Sequence, residues 1–194
     1  MVKKDRKQLV LALIVVLVLF VLSFAFIFIY KLNENKNNRN YVLDVYFKNT
    51  NEIYIENTLP VSDELGKKFD GSNTEKEIQG YKEFSIKNNY SKDLNYELYL
   101  MENSECEKKI DSNYIVFYLT DENNKPLTGF ENNKLPTFAS LSVLNDKALG
   151  RVLYSGFIKS SSKQKFKLRV WVSDLYTLKK YKECFSVDVY VRSV

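Results

Sequence analysis

The sequence predicts an all-β fold: an antiparallel β-sandwich of eight or nine strands, Ig-like or jelly-roll-like, behind one N-terminal transmembrane helix. Three observations carry this. Hydrophobicity alternates with period two in short runs from residue 41 to the end. Breaks rich in Asn, Ser, Asp and Lys separate those runs. Ahead of them lies one uncharged apolar run, residues 9–30.

That run has Ser23 as its only clearly polar member. At about 1.5 Å per residue it reaches roughly 33 Å, enough for a hydrocarbon core of about 30 Å. It lacks the polar face that a core helix of a soluble domain needs. The tip, 1–8, carries Lys3, Lys4, Arg6 and Lys7 against Asp5, which sets the N-terminus inside and the rest outside. A cleaved signal peptide is the alternative, because Ser23-Phe24-Ala25 has the small-x-small form of a cleavage site. Cleavage would leave the bulky residues 26–30 as a greasy new terminus, so the anchor is preferred. Residues 31–40, KLNENKNNRN, form a polar tether, and 41–194 form the extracytoplasmic domain.

The strands follow in order. YVLDVYFK (41–48) places Tyr41, Leu43, Val45 and Phe47 on one face, and IYIEN (53–57) makes a second short strand. Residues 60–77 read as a polar loop with room for a short helix. GYKEFSIKNN sets Phe84 and Ile86 together, the turn NNYSKD follows, and LNYELYL alternates Leu94, Tyr96, Leu98 and Leu100 against Asn95, Glu97 and Tyr99. YIVFYLT (114–120) is denser. RVLYSGFI (151–158) and KFKLRVWV (165–172) flank KSSSKQ, a hairpin-like break. CFSVDVYVR closes the chain with Phe185, Val187, Val189 and Val191 on one face. Helix is expected only at 138–149 and 174–183.

Charge and composition exclude several functions. The formal net charge is +5, much of it in the tip; beyond residue 30 the balance is 25 basic to 23 acidic residues. Nucleic-acid binding loses its main support. There is no histidine, which removes Ser-His-Asp and Cys-His arrangements and most zinc sites. Ser160 and Lys163 satisfy S-x-x-K, but they sit in a polar break without companion motifs. The serine cluster reads as a turn and the chain as a non-enzyme. Glu102, Glu105 and Glu107, and Asp121 with Glu122, could offer oxygen ligands, yet lysines flank them and no calcium-loop pattern is present. No cofactor or metal is expected.

Cys106 and Cys184 are the only cysteines, and in an exported domain they suggest a disulfide. Trp171 falls by alternation on the face opposite the apolar one, with Lys167 and Arg169. It is either an interface anchor or a side chain covered by a crossing loop such as 174–183. Tyr99, Tyr118 and Tyr190, also on polar faces, pose the same question, Tyr99 and Tyr190 being candidate interface residues.

GYKEFSIKNNYSKDLNYELYL and KSSSKQKFKLRVWVSD together resemble segments of the surface β-sandwich proteins of Gram-positive bacteria related to TasA and camelysin. The resemblance spans residues 80–191. It implies a sandwich at the cell surface and a matrix-fibre subunit, with Tyr41, Leu43, Val45 and Phe47 as the strand donated to a neighbour. The ten-residue linker and the poor cleavage site depart from that family, and a metalloprotease activity has no histidine ligands here. The expectation is therefore a single-pass cell-membrane protein presenting its sandwich to a protein, wall or matrix partner. Self-assembly is the alternative.

Overall fold

In this computed structural model the described residues are 42–56, 58–71, 80–103, 106–144, 150–177 and 183–194, with Phe20 and Ser23. The tip, the linker, Tyr41 and all but those two residues of the apolar segment 9–30 lie outside them. Phe20 and Ser23 are helical, the Ser23 hydroxyl donating to the Phe20 carbonyl at 2.8 Å. Among the described residues no helix is long and apolar enough to cross a membrane. The chain divides into two compact units, Met1–Tyr41 and Val42–Val194.

The second unit is built from two antiparallel sheets. Sheet A has the order β1 (Leu43–Phe47), β3 (Gly80–Asn88), β8 (Lys163–Val172), β5 (Ile115–Asp121). Sheet B has the order β2 (Glu52–Glu56), β9 (Cys184–Ser193), β4 (Leu94–Glu102), β7 (Gly150–Ile158), β6 (Ser142–Val143). The inward residues of both sheets meet in one core, with Ile86, Phe117, Leu119, Leu168 and Val170 of sheet A against Ile53, Leu98, Leu100 and Val187 of sheet B. Alternation produces this, since every second side chain of a strand points to the same side. All eight strands expected from the sequence are present, and β6 makes the ninth.

One expectation about connections is corrected. NNYSKD and KSSSKQ are turns as expected, but KSSSKQ does not close a hairpin: β3 pairs with β8 and β4 with β7 and β9, so each turn carries the chain from one sheet to the other. These corners lie side by side. The Asn88 amide, fully buried, donates to the carbonyls of Lys92 at 2.8 Å and Lys159 at 3.2 Å, while its oxygen accepts from the Tyr90 amide at 2.8 Å. Asp93 accepts from the Ser160 amide at 2.7 Å. A hairpin and a corner share the same turn composition, and the long-range partners decide between them.

The expected helix at 138–149 is instead a 3-10 turn, Phe138–Ser140, followed by β6, with 145–149 outside the described residues. Thr137 and Ser140 cap that turn reciprocally, and Phe138 drops into the core. In 174–183 the described part is a turn, and 178–182 lie outside. The polar 60–77 loop does hold a short helix, α1 (Asp63–Gly66).

Cys106 and Cys184 form a disulfide, with S–S 2.07 Å and Cα–Cα 5.6 Å. It fastens the crossing segment 106–110 to the head of β9, where Cys184 N–H donates to Lys108 O at 2.8 Å and Ile110 N–H to Cys184 O at 2.9 Å.

Candidate functional site

The strands leave two outer sheet faces, and these hold the exposed functional groups of the domain. Half of the sheet A face is covered. From Leu168 to Val172 β8 is buried on both sides, because the segment 61–69 lies over it. Trp171 is fully buried among Val61, Phe69, Val116 and Leu135. Its indole N–H donates to Asp63 at 3.3 Å. Gly66 lies flat on the ring, where a Cβ would come within 2.3 Å of it. Trp171 is therefore closed inside the molecule rather than presented at an interface, and among the described residues its cover comes from 61–69.

Arg169 locks the same cover. It is buried, with Nε donating to Phe69 O at 2.5 Å, one terminal nitrogen to Thr120 at 3.1 Å and the other to Asn124 at 2.8 Å. The guanidinium sits between the rings of Tyr81 and Tyr118, at 5.6 and 5.8 Å from their centroids. Desolvation lowers its pKa, yet arginine stays charged in proteins. Asn124 reaches it from a positive-φ turn position that asparagine tolerates. The alternation that flagged Trp171 also exposed Arg169 to notice. The usable signal was the change from lysine at 163, 165 and 167 to arginine at 169, since a planar fork suits an aromatic sandwich better than an ammonium.

The other half of this face is an open groove of about 380 Å³ with Tyr46, Glu83, Glu122, Lys165 and Lys167 among its lining. Lys163, Lys165 and Lys167 stand about 7 Å apart along β8. The Lys163 ammonium lies 5.6 Å from the Tyr46 ring. Lys165 pairs with Glu122 at 2.7 Å, which raises its pKa. Lys48 pairs with Glu83 at 3.3 Å, and the Tyr81 hydroxyl donates to Glu83 at 2.7 Å. Those contacts, Tyr81 first, hold the Glu83 carboxyl below its ordinary range. Burial and then Glu83 push the Tyr81 hydroxyl well above its own.

On the outer face of sheet B, Tyr99 of β4 and Tyr190 of β9 are cross-strand partners, their rings stacked at 5.5 Å. Tyr190 is exposed, and its pKa is raised by burial and then by Asp188. Tyr54 is exposed on β2 between Glu52 and Glu56.

The remaining sequence candidates scatter. Ser160 is tied into the corner by Asp93, while Lys163 opens β8 and reaches toward Tyr46, and no hydrogen bond joins the two among the described residues. Glu102 pairs with Lys109, Glu107 is exposed, and Glu105 lies outside the described residues. Asp121 closes its own turn by accepting from the amides of Asn123 and Lys125. Among the described residues no three His, Cys, Asp or Glu side chains gather as a metal site. Tyr118 backs Arg169, with the Lys67 ammonium 5.7 Å from its ring. Leu43, Val45 and Phe47 point inward from the edge strand β1 and pack, partly buried, on the core. No family model, no curated protein and no solved structure matches this chain.

Proposed function

We infer that the chain is a single-pass cell-surface protein. Residues 1–8 are cytoplasmic, 9–30 span the membrane, 31–40 are a tether, and the sandwich outside has a structural or adhesive role without enzymatic chemistry. The observation that carries this is the Cys106–Cys184 disulfide in a sandwich that keeps half of its sheet A face and its sheet B face open, because such bonds persist in oxidising compartments. The partner on this reading is a protein or a wall or matrix component, met on those faces.

The intact mass of the natively expressed protein, from membrane and from culture supernatant, tests it. A full-length chain confined to the membrane supports the anchor, whereas a chain beginning at Phe26 in the supernatant would replace it with a secreted protein.

A second reading, a TasA-like fibre subunit assembling by strand donation, is favoured by β1, which is short, among the described residues pairs on one side only, and buries Leu43, Val45 and Phe47 incompletely. Detergent-resistant ladders that vanish on deletion of 41–48 would support it. Between the two sandwich subtypes we favour the jelly-roll. Successive strands change sheet at every step except β6 to β7, whereas an immunoglobulin sandwich keeps several consecutive pairs in one sheet.

A further inference from the structure

We propose that the domain adheres to a second copy of itself, the basic outer face of sheet A on one copy resting on the acidic outer face of sheet B on the next. This deepens the adhesive reading by naming the partner, and it does not depend on the membrane anchor.

Charge is the first argument. On the open half of the sheet A face, Glu83 and Glu122 are already paired with Lys48 and Lys165, and the third carboxylate, Asp44, accepts from the Asn89 amide and the Tyr46 hydroxyl. Lys87, Lys163 and Lys167 make no ion pair among the described residues, three ammonium groups against the one carboxylate of Asp44; Lys87 and Lys163 are exposed, and Lys167 donates to Asn124 at 3.1 Å opposite Glu83. On the sheet B face the register turns Glu52 and Glu56 of β2 and Asp188 of β9 outward, again without an ion pair among the described residues, though Glu52 accepts from the Ser186 hydroxyl at 3.3 Å and lies in the field of Lys82. Glu97, beside them, is paired with Arg192 at 2.8 Å. One face thus keeps a surplus of ammonium groups and the other a surplus of carboxylates.

Each charged patch also holds an exposed aromatic ring. Tyr46 is 53% exposed beside Lys163, and Tyr54 is 42% exposed between Glu52 and Glu56. Tyrosines ringed by polar groups are the side chains on which interfaces concentrate binding energy.

Geometry supplies the direction. The two faces lie on opposite sides of one sandwich, so a molecule cannot satisfy its own surplus. Face A on face A, or B on B, sets like charges against each other. Only the A-on-B contact pairs them, and being heterologous it leaves a free face of each kind at the ends of a row.

The experiment uses the full chain in nonionic detergent and sedimentation equilibrium, with two charge-reversal variants. One carries K87E, K163E and K167E; the other carries E52K, E56K and D188K. Wild type should self-associate at low salt and weaken at least about tenfold between about 0.05 M and 0.5 M salt. Each variant alone should be monomeric, with both its faces of one sign, and an equimolar mixture of the two should associate again. The first variant, added in small amounts to wild type, should cap the rows and lower their mean size.

Wild type that stays monomeric at low salt would overturn the proposal. So would a single variant that associates like wild type, or two folded variants that ignore each other. If a reversal variant loses its β-sheet circular dichroism, the K87Q, K163Q and K167Q variant replaces it. That variant should associate at least about tenfold more weakly than wild type, and unchanged association there overturns the proposal equally. A mature chain beginning at Phe26 would sink the anchor and leave all of these outcomes as stated.

Discussion

Gly66 shows how one residue holds a whole cover in place. Its missing side chain lets α1 lie against the Trp171 ring, and a methyl group there meets a rigid, fully buried indole. Gly66→Ala should destabilise the domain by about 1–3 kcal/mol, with the tryptophan emission shifting toward that of exposed indole; urea unfolding read by fluorescence checks both. Arg169 is the polar counterpart. Arg169→Met removes the donors to Phe69, Thr120 and Asn124, and leaving these buried acceptors unpaired costs about 1–3 kcal/mol. Proteolysis should then cut first within 61–71, and an unaltered cleavage pattern would refute the latch.

Tyr96 makes a pH prediction at the same scale. Burial, and Tyr154 beside it, raise its pKa from the ordinary 10.0. The folded state therefore keeps a proton that the unfolded state releases above pH 10. Stability from this group is complete below about pH 10 and is lost as pH rises beyond it. In an alkaline titration part of the tyrosinate absorbance should appear only together with loss of β-sheet circular dichroism. A tyrosinate signal that completes before unfolding would contradict this.

At the scale of elements, the two corners behave as one joint. Asn88 bonds both the β3–β4 turn and the β7–β8 turn. Asn88→Ala leaves buried amide and carbonyl groups unpaired and should cost about 2–3 kcal/mol, whereas Ser160→Ala should be near neutral because it is the backbone of Ser160 that meets Asp93. Chemical denaturation of the two variants separates them. The disulfide acts on a longer span, 78 positions. Replacing both cysteines by serine should remove about 2–5 kcal/mol, read as a lower midpoint of unfolding and matched by reductant added to wild type.

At the scale of the whole molecule, the proposed self-adhesion rests on charge local to each face: among the described residues, unpaired lysines on the open half of the sheet A face and unpaired carboxylates on the sheet B face, within an ordinary overall balance. Some of the architecture was legible in single residues. Tyr96, Leu98 and Leu100, like Phe185, Val187 and Val189, are buried where alternation puts them. The fate of Trp171 was not legible, and the arginine at 169 pointed only to an aromatic neighbour, because the cover is contributed by 61–69, a hundred residues earlier in the chain. The open groove was not legible either, since Tyr46, Glu83, Glu122 and Lys165 come from separate stretches that only the sheet brings together. By itself the sequence determined eight of the nine strands, the face their side chains take and the candidate disulfide, because period-two alternation and turn chemistry act within a few residues. The tertiary structure alone decided that β3 pairs with β8 rather than β4, which faces are covered and which charges become neighbours. Those choices depend on packing between distant segments, and a local pattern carries no record of its partner.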